Sequence, residues 1–421
     1  MVAKNSNYMP RLIDQKIERY LNVFGAIAIE GPKWCGKTWT SRAHSQSEFY
    51  LSSSTHDSNT LSLVKIDPYF ALRGDSPHLI DEWQLYPPLW DIIRNDVDER
   101  QKKGLYILTG SSTPNREGIF HSGAGRFAKL KMSPMSLFES KDSSGKVSLM
   151  DLFDGKFENA LTGKVELENI INLIIRGGWP ANLSVDPKDS SLLPREYIRL
   201  IVSDEINRVS GKKYDLNKIG LLLKSLARNE STTCSFAKLR SDIIENGGNI
   251  DVETIPEYLN ILSDLYLIEN QEAFSVNLRS SIRLKQQVKR HFVDPSIAAA
   301  LINATEQKLL NDLQTLGFLF EALVERDLRI YAEAHDATLY HYQDYKDNEI
   351  DAIVSLDDGR FCAIEIKLGV SQIDEAAANL LKIKSLFGKE PSFLCVICAM
   401  SNASYLRPDG VYVVPITALK D

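Results

Sequence analysis

At 421 residues the chain exceeds what one hydrophobic core ordinarily holds, so roughly two or three domains are expected. Hydrophobic residues at 43% and charged residues at 25% are ordinary globular proportions and exclude a disordered or membrane-embedded chain. The 56 acidic against 49 basic residues leave a formal net charge of -7, so binding of nucleic acid would need a local basic patch rather than a bulk field.

The five cysteines are odd in number and scattered from Cys35 to Cys398, unlike a disulfide framework. Residues 1–12 lack the apolar core of a secretory signal, and a cytoplasmic location is expected. The apolar run at 167–175 is interrupted by Glu168, Asn169 and Asn172 and falls short of the roughly 20 residues a membrane helix needs, so no membrane partner is expected. Cys395 and Cys398 form a CxxC, but the apolar residues around them read as a buried strand, with no second Cys or His pair nearby to complete a zinc site.

In chain order, residues 24–29 are an apolar strand that stops at a glycine turn, after which a helix begins at Lys37. Further strands are expected at 49–51, 78–81 and 105–109, with a helix over 88–97, which together imply a parallel α/β sheet in a first domain, 1–140. Residues 141–218 read as a mostly helical lid or adaptor, with helices at 167–176 and 194–209 around the breaker Gly177-Gly178-Trp179-Pro180. Residues 219–304 show helix, turn and helix followed by candidate strands at 268–274 and 282–292, the pattern of a winged-helix module. The last segment, 305–421, opens with a helix at 316–335 and continues with strands near 339–342, 349–355 and 361–367.

Gly31-Pro32-Lys33-Trp34-Cys35-Gly36-Lys37-Thr38 matches the phosphate loop G-x-x-x-x-G-K-[ST] at every fixed position, between a strand and a helix as that motif requires. Such a loop turns backbone N–H groups toward the phosphates of ATP, Lys37 reaches the β and γ oxygens, and Thr38 offers its hydroxyl to Mg²⁺. The strand at 78–81 ends in Asp81 and Glu82; Asp81 is the expected magnesium residue, directly or through water, and Glu82 the group that orients or deprotonates the attacking water. Thr109 and Ser111, where the next strand stops, are candidate γ-phosphate sensors, and Arg126 could supply positive charge to the transition state in cis or from a neighbouring copy in a homo-oligomer.

The chain resembles prokaryotic AAA-like ATPases that carry a C-terminal domain of unknown function related to PD-(D/E)xK nucleases. The resemblance rests on residues 8–11, the phosphate loop, residues 80–84 and 108–112, Gly125-Arg126, residues 177–180 and Phe292-Val293-Asp294. Lys33-Trp34 and Trp83 depart from the family's commoner residues without removing a phosphate or metal ligand. The resemblance implies ATP binding and hydrolysis and no defined substrate.

In the last segment Glu321 falls on a helix, Asp351 on a strand, and Glu365 and Lys367 on one face of the next strand, which is the layout of a restriction-endonuclease-like α/β domain. Asp351 and Glu365 could hold Mg²⁺, Glu321 could complete the shell, and Lys367 could activate water against a phosphodiester; solvated ion pairs are the plain alternative. In the middle module a recognition helix over 252–267 would be flanked by a basic wing, Arg279, Arg283, Lys285, Lys289 and Arg290, able to touch DNA or RNA phosphates. The helix and the residue before it carry only acidic charges, Asp251, Glu253, Glu257 and Asp264, which favours a protein partner instead. Two functions are thus expected side by side: an ATPase coupled to nucleic acid, with a metal-dependent nuclease at its C-terminus, or a nucleotide-switched scaffold that recruits a protein and cuts nothing.

Overall fold

The computed structural model describes residues 8–52, 60–110, 119–206, 214–275, 287–346, 348–385 and 387–421. The chain divides into two compact units, one of Met1–Pro134, Asp204–Tyr214 and Ile261–Leu267, the other of Met135–Ser203, Asp215–Asn260 and Ile268–Asp421. Among the described residues no helix is long and apolar enough to cross a membrane.

The first unit is built on strands β1 (Ala26–Glu30), β2 (Ser47–Tyr50), β3 (His78–Asp81), β4 (Tyr106–Gly110) and β5 (Phe127–Lys131), all parallel, in the order β2-β3-β4-β1-β5. Its central strands are apolar on both faces, as a parallel sheet between helices requires. The period of two sorts them: Ile27, Ile29, Leu79 and Ile107 pack with Ile17 of α1 (Ile13–Leu21), whereas Ala26, Ala28, Ile80 and Leu108 pack with Trp83, Trp90 and Ile93 on the opposite face. The edge strand β5 carries exposed Lys129 and Lys131 between buried residues, which hid it from the sequence reading.

The second unit holds a seven-stranded sheet. Its core consists of three strands expected from the sequence, Thr338–Gln343, Glu349–Ser355 and Phe361–Lys367, antiparallel to one another, followed by the parallel strands Phe393–Cys398 and Val411–Pro415. Cys395 and Cys398 are buried in the fourth of these strands. The helix Ile373–Lys384 covers one face through Ile373, Ala376, Leu380 and Ile383. The long helix Leu313–Ala334 packs on the first three strands.

Several expectations need correction. Residues 141–218 are not only helical: Val147–Ser148 pairs with Leu419–Lys420, and Ala160–Leu161 with Ala403–Leu406 at the sheet edge. Strands of two residues are too short to show an alternating pattern. The helix expected over 194–209 is Leu192–Leu200, passing into a π-helical turn at Ile201–Glu205. Of the basic wing, Arg279, Arg283 and Lys285 lie outside the described residues. Lys289 is fully buried, because the strand Lys289–Phe292 points it and His291 to the inner side. Arg290 lies over the Phe236 ring and donates to the Cys234 carbonyl at 2.9 Å, so its guanidinium is already engaged.

The helix Leu313–Ala334 buries Glu325, Arg326, Asp327 and Arg329, charges that must be matched inside the unit. Arg326 pairs with Asp294 at 2.9 Å and Asp327 at 2.7 Å. Asp294 also accepts from the amide of Gly178 at 2.9 Å, and Trp179 donates its indole N–H to Ser296 at 2.9 Å, so the Gly-Gly-Trp-Pro and Phe-Val-Asp motifs meet. Removing one partner of such a pair leaves a buried charge unmatched, so Asp294→Ala should lower unfolding stability by about 3–5 kcal/mol in chemical denaturation, against a negligible change for Asp186→Ala at the surface.

His291, also buried, pairs with Glu325 at 3.0 Å and Glu230 at 3.3 Å. Burial alone would lower its pKa, but Glu325 and Glu230 outweigh it and raise the imidazole to about 8. Burial pushes the Glu230 carboxyl up, whereas Glu325 is held down to about 2, the pull of His291 and Lys289 outweighing burial, so Glu325 is the partner that keeps the imidazole charged. With a folded pKa above the unfolded value of about 6.5, the contribution is complete below pH 6.5 and lost as pH rises through about 8. Stability should therefore fall by about 2 kcal/mol across that window, and His291→Gln should flatten the dependence.

Candidate functional site

The phosphate loop links β1 to α2 (Lys37–His44) at the C-terminal ends of the parallel strands, where open α/β sheets bind ligands. A Cβ on Gly31 would lie 2.1 Å from the Met132 carbonyl oxygen, and Gly36 sits at φ 105°, so both fixed glycines are required by geometry. Lys37 is buried, its ammonium donating to the carbonyls of Gly31 at 2.9 Å and Pro32 at 2.7 Å. Lys33 pairs with Glu205 at 2.8 Å, Cys35 is buried, and Trp34 is half exposed, as is Trp39 just beyond Thr38.

Strand β4 separates the phosphate-loop strand from the Asp81 strand, yet three side chains converge across that gap. The Thr38 hydroxyl donates to Asp81 Oδ1 at 3.0 Å, and the Thr109 hydroxyl donates to the same oxygen. Burial pushes the Asp81 carboxyl up, opposed by the two hydroxyls and by Lys37. The 3.0 Å between Thr38 Oγ1 and Asp81 Oδ1 matches the separation of two neighbouring ligands around an octahedral ion with bonds of about 2.1 Å, so this pair fits Mg²⁺. Glu82 takes a left-handed conformation at φ 56°, its amide donating to Thr109 Oγ1 at 3.3 Å and its carboxylate accepting from Gln84. A non-glycine residue held there directly after Asp81 marks a strained, aimed position.

Ser111 lies outside the described residues. Arg126 is at the wrong end of the sheet for a role in its own chain: its carbonyl accepts from the amides of Gly25 and Ala26 at 3.1 Å, at the start of β1, whereas the phosphate loop follows the end of β1. Five residues of strand put roughly 15 Å between them. The guanidinium is exposed and paired with Asp98 at 2.8 Å.

A residue whose role the sequence did not disclose is Arg11. Buried, it donates to the carbonyls of Cys35 in the phosphate loop at 2.9 Å and Ser133 at 2.8 Å, tying the loop to the segment after β5. Tyr8 donates to Asp14 at 2.6 Å, and its hydroxyl oxygen lies 3.2 Å from the Thr40 hydroxyl of α2. Only the proximity of residues 8–11 to the loop in sequence hinted at this clamp.

In the second unit Asp351, Glu365 and Lys367 do come together. Lys367 Nζ lies 3.1 Å from Asp351 and 2.6 Å from Glu365; Asp351 Oδ2 also accepts from the Ile366 amide at 2.7 Å, and Glu365 Oε1 from Asn379 at 2.7 Å. Burial, then Asp351, pushes Glu365 up to about 7 against the pull of Lys367. Burial would lower the Lys367 ammonium, but Asp351 and Glu365 outweigh it and hold it charged.

Glu321 is in contact with the Lys289 ammonium, which also lies 3.4 Å from Glu325. Burial, aided by Asp351 and Glu325, pushes Glu321 up to about 8 against the attraction of Lys289.

In this structure the donor set is taken up by protein cations and amides. Among the described residues no three His, Cys, Asp or Glu side chains converge to hold a metal. The carboxylates are engaged by lysines and amides.

Comparison with known proteins gives three matches along the chain. Residues 24–141 match the family model described as "AAA domain", residues 167–308 "Domain of unknown function (DUF8612)", and residues 316–419 "Domain of unknown function (DUF4143)". The chain is similar to uncharacterized proteins of Mycobacterium tuberculosis and Mycobacterium bovis, each 22% identical over 356 residues, which cover 84% of this chain and 72% of theirs. Among solved structures it is similar to a Walker-type ATPase of Pyrococcus abyssi, at 12% identity and TM-score 0.43 over 71% of this chain and 97% of that one. It is also similar to AMPPCP-bound DnaA from Aquifex aeolicus, at 14% identity and TM-score 0.28 over 60% of this chain and 86% of that one. The parallel sheet, the complete phosphate loop and the family match over residues 24–141 together make the first unit a P-loop ATPase-like domain of AAA type.

Proposed function

We propose that the chain is a magnesium-dependent ATPase whose nucleotide cycle switches the conformation of the remaining domains. The observation that carries this reading is the meeting of Thr38 and Thr109 on one oxygen of Asp81 at the mouth of the phosphate loop, with Glu82 beside it. Loop amides and Lys37 hold the phosphates, the ammonium leaving the carbonyls of Gly31 and Pro32 for the β and γ oxygens. Thr38 and Asp81 would hold Mg²⁺, which would supply positive charge to the phosphates. Thr109 senses the γ-phosphate, and Glu82 orients and deprotonates the attacking water. Arg126 could assist only in a neighbouring copy of a homo-oligomer, after releasing Asp98.

For what the cycle acts on, the scaffold reading is favoured over the nuclease. In this reading residues 1–140 are the ATPase domain, 141–218 an adaptor, 219–304 a winged-helix-like module and 305–421 a nuclease-like domain that cuts nothing. Its support is the engagement of Glu321 by Lys289 and of Asp351 and Glu365 by Lys367. The helix Ile255–Asp264, with Glu257 and Asp264 and no cation of its own, suits a protein partner better than a phosphate backbone.

Glu82→Gln should slow ATP hydrolysis by about 100-fold or more while ATP still binds. Binding can be followed by fluorescence, because Trp34 within the loop and Trp39 just after it are half exposed while Trp83, Trp90 and Trp179 are buried. A Glu82→Gln protein that hydrolyses ATP at the normal rate would remove Glu82 from the mechanism, and Lys37→Ala should abolish the fluorescence response. Incubation of single- and double-stranded DNA and RNA with Mg²⁺ or Mn²⁺ should give no cleavage; cleavage that disappears in Asp351→Ala would restore the nuclease.

A further inference from the structure

Two stretches from the middle of the chain, Asp204–Tyr214 and Ile261–Leu267, belong to the first unit, although neither falls in residues 24–141, the part that matches the AAA-domain model. Each brings one side chain to the phosphate loop. Glu205 pairs with Lys33 of the loop at 2.8 Å, and Tyr266 donates its hydroxyl at 2.9 Å to Oε2 of Glu30, the residue before Gly31. Glu30 Oε1 is already answered by Lys129 at 2.7 Å, so the tyrosine hydroxyl is not needed to neutralise the carboxylate and instead fixes where it points.

Both side chains sit on uncommon backbone. Glu205 closes the π-helical turn Ile201–Glu205, a form found frequently at functional sites. The helix Ile255–Asp264 ends in a turn where the Tyr266 amide donates to the Ser263 carbonyl and the Leu267 amide to the Leu262 carbonyl, both at 2.9 Å, and Tyr266 takes φ 55°. Glycine is the usual residue at that left-handed position, because a side chain there crowds the backbone. What the hydroxyl reaches accounts for a tyrosine in its place.

The two contacts bracket the dipeptide Gly31-Pro32, whose carbonyls hold the Lys37 ammonium. When Lys37 turns to the phosphates those carbonyls lose their donor, and the loop must keep its shape by other means. We propose that Glu205 and Tyr266 are positioning residues of the nucleotide site, holding Lys33 and Glu30 so that the loop stays open to phosphates once Lys37 lets go. The phosphate loop is thus supported from the middle of the chain as well as by Arg11. This deepens, and rests on, the reading that the loop binds ATP.

The test is ATP binding by the full chain, measured by titration calorimetry without Mg²⁺, together with hydrogen exchange of the amides of residues 33–38 in the nucleotide-free protein. Tyr266→Phe and Glu205→Gln should each bind ATP about 5-fold or more weakly than wild type and exchange those amides faster, with exchange elsewhere in the first unit as in wild type. Tyr266→Phe keeps the ring and the turn, and its thermal unfolding should match wild type, so weaker binding would not come from a looser fold. Variants that bind ATP as tightly as wild type would overturn the proposal, as would unchanged exchange at residues 33–38. A wild type that binds no ATP would remove the ATPase reading, and the exchange comparison would still decide whether Glu205 and Tyr266 hold the loop.

Discussion

One carboxylate oxygen organises the first unit. Asp81 Oδ1 receives a hydroxyl from the phosphate-loop helix and another from the tip of the strand that separates it from that loop. The parallel order β2-β3-β4-β1-β5 brings these tips to one edge, so the oxygen ties three elements together at the point where phosphate charge would arrive. Arg11 works at the same edge from the other side, fixing the loop carbonyl of Cys35 to that of Ser133. A site held by hydrogen bonds on both sides is already shaped before nucleotide binds, which limits the reorganisation that binding must bear.

The second unit follows a different rule. Its cohesion depends on charges taken out of water: Arg326 with Asp294 and Asp327, His291 with Glu230 and Glu325, Lys289 with Glu321 and Glu325. Each pair is safe only while complete. The same feature places lysines against the acids that carry the residue types of a nuclease. Residue types and sequence order alone do not decide activity here.

What the sequence disclosed divides along these lines. The strands at 78–81, 349–355 and 361–367 were legible to the residue, because their apolar runs are bounded by turn-forming or charged positions. The phosphate loop was legible because its chemistry is local in the chain. Strand β5 was missed because lysines interrupt it, and the two-residue strands 147–148 and 160–161 because so short a segment carries no period. Lys289 was misread for a related reason: in a sequence it is one cation among Arg283, Lys285 and Arg290, and only the pairing of its strand decides which side it faces. The meeting of Gly178 with Asp294 lies at a separation no local pattern reaches.

The most direct test of the central claim is ATP hydrolysis by Asp81→Asn measured as a function of Mg²⁺ concentration, alongside magnesium-free ATP binding. If Asp81 and Thr38 hold the ion, hydrolysis falls steeply and what remains requires far more Mg²⁺, while magnesium-free binding through Lys37 and the loop persists. An unchanged magnesium dependence with normal turnover would contradict the account, since Asp81 would then hold the loop's shape and nothing more.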